Sequence, residues 1–436
     1  MSSVLFQQAV VIPMTAAGGA PQSFVGSVGV VDNRIALVSA DDEAVARFVA
    51  DHPDCRKVDC RGKVVMPGLI NTHCHAAMTL QRSHADDIAL MEWLNDYIWP
   101  FEAKQTPDEI ALGMTLGVAE MLLGGITSFV DMYFHEHRCV EVVERLGMRA
   151  VLGCSYFDHT IDEALDDARK TIEAVRHSSR ITAAIAPHAP YTVSAEQLVR
   201  GKRFADEHGL PLMIHVAETQ AEMAFVREKY GTTPVAWLDS LGLLDERTIA
   251  AHCVWVDEAD RRTLADRGVV VSHNVQSNMK ISSGAAPVAA MVAEGLCVTL
   301  ATDGPCSNND LDLWEEMRSA AFLQKLQTAD PLVLPAYEVL RMATANGARA
   351  MGKADGELGV VCEGALADLI VIDLQKPHLQ PIHDVVSNLV YCGKASDVEM
   401  VMVDGRIVVE DRKIIGLDLV DLYARVQAAT NRIKQA

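Results

Sequence analysis

An α/β chain forming a closed (β/α)₈ barrel, with a small β-sandwich built from both chain ends, is the fold that three observations predict. Eight apolar runs recur between residues 65 and 357, each followed by a stretch of helical length. The flanking regions, 1–64 and 358–436, instead carry short β-branched segments separated by turns. No G-x-G-x-x-G follows the first run, as a doubly wound dinucleotide-binding sheet would require.

In the first flank, VLFQQAVVIP, FVGSVGVV and KVVMPG read as strands of a small antiparallel sheet, with Gly62 in a turn. The barrel runs are VVMPGLINTH, ITSFVDMY, MRAVLGCSY, ITAAIAP, PLMIHVAE, TIAAHC, VVVSHN and CVTLATD. Each is continuously apolar, without the alternation of a half-exposed strand, and so suits a parallel sheet covered on both faces. In the second flank ADLIVIDL is a strand, VEMVMVDGRIVVED a hairpin folding at Asp404-Gly405, and 419–434 a closing helix.

Composition narrows the function. Lys and Arg number 38 against 59 Asp and Glu, a net charge of −21 that repels a polyanion. Nucleic acid is therefore not an expected partner. Neither is a membrane, since no run of about 18 apolar residues occurs. No basic segment precedes the first apolar residues, and the ten cysteines form no C-x-x-C pair, so a reducing cytoplasm is the expected compartment.

In such a barrel the active site collects at the C-terminal ends of the strands. Strand one ends in His73-Cys74-His75, strand five in His215-Val216-Ala217-Glu218, strand six in His252, strand seven in His273-Asn274 and strand eight in Asp303. Residues two apart on a strand project from one face, so His73 and His75 can reach one ion. With 15 His in 436 residues, about half of one H-x-H is expected by chance, and His135-Glu136-His137 is a second. The company decides: His215 and Asp303 supply a third and fourth ligand on the same rim, whereas His135 and His137 have no such partners and read as polar residues near it.

The runs MPGLINTHCHAAMTLQR, GITSFVDMYFHE, AAHCVWV, VVSHNVQSNMKISSGAAPV and TLATDGPCSNNDLDLWEEMR resemble the amidohydrolase superfamily, specifically its 5′-methylthioadenosine and S-adenosylhomocysteine deaminases. The resemblance implies a divalent metal, zinc ahead of iron or manganese, held by His73, His75, His215 and Asp303. A binuclear member would carry a bridging lysine at the end of strand four. That strand here ends APHAPY, so one metal per subunit is expected. The cytidine-deaminase pattern, H-x-E with P-C-x-x-C, is absent.

Hydrolytic deamination needs an activated water, a proton for the ring and a shuttle. Zinc lowers the pKa of its water to about 7, giving a metal-bound hydroxide as nucleophile. Asp303 would accept the water proton, Glu218 would act as acid and base at purine N1, and His252 would orient the water. In the family pattern MEWLNDYIWPFE covers the site, Trp93 forming an apolar wall and Glu102 accepting from the ribose hydroxyls. His188 would meet the sugar or the purine edge, and Ser307 the base. The connector FDHTIDEALDD after strand three holds five acids and no arginine to bind an amino-acid tail. A neutral 5′-substituent is favoured: methylthioadenosine first, then adenosine, then S-adenosylhomocysteine, with Arg82 or a second subunit as the remaining source of charge. The rival readings are a triazine, guanine or pterin hydrolase of the same fold and a non-catalytic barrel scaffold, and the intact ligand set argues against the scaffold. A homo-oligomer of even number is the expectation from resemblance.

Overall fold

The structure, a computed structural model, describes residues 3–15, 23–88 and 90–436. Eight parallel strands follow one another in chain order: Leu69–Cys74, Ile126–Tyr133, Arg149–Tyr156, Ile181–Pro187, Leu212–Val216, Thr248–His252, Val270–His273 and Cys297–Leu300. Their lower interior is filled by Ile70, Val130, Met132, Val151, Met213 and Ile249, as the continuous apolar runs require. The circle closes between the last and first strands through a single bridge, Cys74 to Asp303, where the Asp303 amide donates to the His73 carbonyl at 3.1 Å.

Both chain ends join one nine-stranded sheet beside the barrel. Its first strand, Ser3–Val11, is antiparallel to Phe24–Val31, as the patterning predicts, but parallel to Arg56–Asp59 and Lys63–Pro67, so the sheet is mixed. Lys63–Pro67 in turn pairs antiparallel with Leu369–Asp373, which stitches the two flanks together. The run VVMPGLINTH is thus two strands in two sheets, changing over at Gly68, a little beyond residue 64. A Cβ there would stand 2.1 Å from the Thr127 side chain, so only glycine allows this close passage. The hairpin at Asp404-Gly405 has φ of 49° and 74°, the left-handed pair that a tight two-residue turn needs.

Arg149, 1% exposed, ties the barrel to this sheet. Its guanidinium donates to both Asp368 oxygens at 2.9 Å and to Asp404 at 3.2 Å. The helix Pro107–Leu123, opened by a Thr106/Glu109 capping box, touches this sheet and also lies directly on the turn Ala76–Gln81. A Cβ at Gly113 would meet the Ala77 carbonyl at 2.3 Å, so the helix presses on the segment that follows His75. Among the described residues no helix is long and apolar enough to cross a membrane.

Candidate active site

His73, His75, His215 and Asp303 come from the ends of the first, fifth and eighth barrel strands, and one ligand atom of each lies within 4.8 Å of the others. His75 Nδ1 stands 2.6 Å from the Met132 carbonyl and His215 Nδ1 2.7 Å from that of His188. A carbonyl only accepts, so both Nδ1 atoms carry the proton and both Nε2 lone pairs face inward. His215 Nε2 is 3.2 Å from His73 Nε2, and Asp303 Oδ1 is 3.4 Å and 3.1 Å from Nε2 of His73 and His75. Donors about 2.0–2.1 Å from a tetrahedral zinc stand about 3.3–3.4 Å apart, so the donor set and its spacing fit one ion of this kind.

The electrostatics agree. Burial lowers the His73 pKa to about 4 and pushes His215 well below the usual imidazole value, so both are neutral donors. For His75 burial opposes the charged form, yet the Asp303 carboxylate raises it to about 9, showing how strongly that carboxylate draws a cation. Asp303 Oδ2 accepts from the hydroxyls of Ser277 at 2.6 Å and Ser307 at 3.0 Å, which leaves Oδ1 turned to the imidazoles.

Glu218 and His252 border this cluster, both buried, with Glu218 Oε2 4.0 Å from His252 Nε2. Burial raises the Glu218 pKa above its ordinary value, favouring the protonated acid. Ser283 donates to its Oε1 at 3.2 Å. Ala217, His252, Cys253 and Asp303 all hold left-handed φ, of 51°, 72°, 46° and 62°. Such conformations cost about 1–3 kcal/mol each and persist where surrounding structure enforces them, as at an active-site rim. A cavity opens over the cluster, lined by Trp93, Glu102, His188 and Tyr191 and, at the donors, by His75, His215 and Asp303 with Glu218 and His252 beside them. It adjoins an outer chamber of about 650 Å³ lined by Trp99, Phe134, His135, Phe157 and His159.

A profile described as the amidohydrolase family matches residues 64–408. The chain belongs to the amidohydrolase family. It is 45% identical over 415 residues, 94% of each chain, to a 5-methylthioadenosine/S-adenosylhomocysteine deaminase of Syntrophobacter fumaroxidans. It is 41% identical, over 99% of each chain, to a 5′-deoxyadenosine deaminase of Methanosarcina mazei. The crystal structure of an adenosine deaminase from Xanthomonas campestris with bound zinc superposes with a TM-score of 0.95 at 36% identity, covering 100% of this chain and 99% of that one.

The remaining positions singled out in the sequence of this amidohydrolase divide. Trp93 is 7% exposed and donates its Nε1–H to the Ala85 carbonyl at 3.0 Å, and Glu102 accepts from the Tyr133 hydroxyl at 2.8 Å. Both lie on the helical segment Leu90–Glu102, whose middle turn is π-helical. His188 keeps its ring 5.0 Å from that of His215 and its Nδ1 2.8 Å from the Thr192 hydroxyl. Ser307 lines the cavity, but its hydroxyl turns to Asp303. Arg82 pairs with Glu120 and lines neither cavity. Of the second H-x-H, His135 reaches the outer chamber, while His137 is held by Asp167 at 2.5 Å.

Sequence reasoning passed over Tyr133, Ser277, Asn278 and Glu222. Glu222 accepts from the amides of Ala217 and Glu218 at 2.8 Å and 2.9 Å, pinning the left-handed turn that presents Glu218. Its place four residues past Glu218, in the first turn of Gln220–Tyr230, was the available signal.

Proposed function

We propose that this amidohydrolase replaces the 6-amino group of a 5′-modified adenosine by oxygen, giving the inosine-type product and ammonia. The observation that carries the reading is one cavity lined by His75, His215 and Asp303 of the donor set, by the buried acid Glu218 and by Glu102, with the fourth donor, His73, beneath it. The names of the relatives supply the purine nucleoside. One divalent ion per subunit, zinc first, would be held by those four side chains. When bound, such an ion lowers the pKa of a coordinated water from 15.7 to about 7.

Around it the chain's own groups divide the proton traffic. Glu218 delivers a proton to N1 as oxygen adds at C6, Asp303 takes up the proton of the attacking water, and His252 orients that water. The proton held by Asp303 then passes to the amino group, the C6–N bond breaks to release ammonia, and the proton of the added oxygen returns to Glu218 as C6=O forms. Trp93 excludes water from one side of the purine, and Glu102 accepts from the ribose diol.

Among the described residues no arginine or lysine lines either cavity. A tail carrying a carboxylate finds no guanidinium there, which supports methylthioadenosine ahead of adenosine and S-adenosylhomocysteine. The deciding experiment is a substrate panel of methylthioadenosine, 5′-deoxyadenosine, adenosine, S-adenosylhomocysteine, guanine and a triazine, followed by ultraviolet spectra. Methylthioadenosine is expected to give the highest kcat/KM, and turnover of guanine or the triazine alone would refute the proposal.

Glu102 discriminates nucleosides from free bases. Hydrogen bonds to a charged group contribute about 1.5–3 kcal/mol, so Glu102→Gln is expected to raise KM for nucleosides about 10- to 100-fold. Burial raises the Glu102 pKa to about 7. Below that pH the carboxyl is protonated and offers fewer acceptor sites. KM is therefore expected to climb as pH falls through about 7 in the native enzyme, and the Gln variant to lose that dependence.

The proposed setting is a reducing cytoplasm, supported by ten cysteines that are all free thiols. The proposed assembly is a homo-oligomer of even number, which light scattering on the purified protein checks.

A further inference from the structure

The ring of His252 is gripped from behind by a layer of buried amides that the reaction scheme leaves unused. Its Nδ1 lies 2.9 Å from Asn278 Oδ1 and 3.2 Å from Asn274 Nδ2. Asn278 is 1% exposed on the helix Val275–Lys280, and Asn274, at the N-cap of that helix, is 0% exposed. Both amides have one atom without a partner, Asn278 Nδ2 and Asn274 Oδ1.

An imidazole nitrogen offers either one proton or one lone pair, so only one of the two contacts is a full hydrogen bond. If Nδ1 carries the proton, it donates to Asn278 Oδ1 at the shorter distance, and the Asn274 amide turns its unpartnered Oδ1, in place of Nδ2, toward the same proton. If Nδ1 is bare, Asn278 must turn round to avoid opposing lone pairs. Two N–H groups then compete for one lone pair, whereas a ring proton can be shared between two amide oxygens.

We propose that Asn278 is a positioning residue that holds His252 in its Nδ1–H tautomer, so that Nε2 presents a lone pair to the reaction. Nε2 is 4.0 Å from Glu218 Oε2, too far for a direct bond. The two groups therefore address a third atom between them, Glu218 as donor and His252 as acceptor. Had the ring the opposite tautomer, both would present protons to the same place, and a water there would be held with its lone pairs turned the wrong way. The inference rests on His252 orienting the attacking water, as proposed above.

The test uses the zinc-loaded enzyme labelled with ¹⁵N-histidine. The native protein is expected to show His252 with Nδ1 as the protonated nitrogen. Asn278→Ala is expected to lose that signature and about 10- to 100-fold in kcat, with KM and zinc content little changed. Asn278→Asp restores an acceptor and is expected to recover both the signature and most of kcat. Asn274→Ala, which removes the neighbouring amide, is expected to keep the tautomer. An Asn278→Ala protein that keeps the native tautomer and kcat overturns the proposal, and so does one that loses zinc with activity, which would assign Asn278 to the integrity of the strand ends. His252→Gln separates the underlying reading: if it turns over like the native enzyme, His252 does not serve the water, whatever Asn278 does.

Discussion

Stripping the protein with a chelator is expected to abolish ammonia release, and adding back zinc to restore it at one ion per chain. Neutral water attacks a purine carbon far too slowly without activation, and an ion held by the four donors is the proposed source of that activation. Lowering its pKa from 15.7 to about 7 raises the fraction present as hydroxide at neutral pH by many powers of ten. Asp303→Ala is expected to reproduce the loss, since it removes both a donor and the group assigned to the water proton, and it frees the Ser277 and Ser307 hydroxyls that now hold that carboxylate. Elemental analysis beside the ammonia assay is the measurement. Full activity in protein with less than a tenth of an equivalent of metal would end the case for a metal-assisted reaction.

The second large effect belongs to Glu218. Glu218→Gln keeps the shape and an N–H donor but cannot release a proton, so kcat is expected to fall about 10²- to 10⁴-fold while KM stays near the native value. Burial raises the Glu218 pKa, which means that the carboxyl keeps its proton to a higher pH than an exposed glutamate. The native kcat is then expected to fall on the alkaline side as that proton is lost, and the residual rate of the Gln variant to lack that limb. Steady-state kinetics across the pH range decide it, and a variant with native kcat would remove Glu218 from the proton path.

The barrel and its metal cluster were legible because fully buried parallel strands are written as unbroken apolar runs. Where such a run meets its first polar residue, the chain has reached the rim. His215 and His252 follow that rule, while short polar residues come first in the other two runs, Asn71 and Thr72 before His73 and Thr302 before Asp303. The same continuity hid the break at Gly68: residues 64–67 and Leu69–Cys74 are all buried, so no change of periodicity marks the passage from one sheet to the other. The supporting residues were harder to see for a different reason. Ser277 and Asn278 act through contacts with Asp303 and His252, residues far away along the chain, and only the folded arrangement brings them together. Ser307 illustrates the local counterpart, since a turn beginning at Gly304 directs its hydroxyl back to Asp303 rather than toward a bound base.

The seam of the barrel has an evolutionary consequence. The cylinder shuts through Cys74, His73 and Asp303, so two of the donor residues are also the clasp of the ring. That clasp is made by backbone atoms, which any residue supplies, so architecture alone does not ask for an imidazole and a carboxylate there, and their survival in a descendant would record retained chemistry. Glu218 takes no part in the clasp and is tied only to Ser283 and the Glu222 turn. Its replacement, like theirs, would mark a lineage turned from catalyst to scaffold.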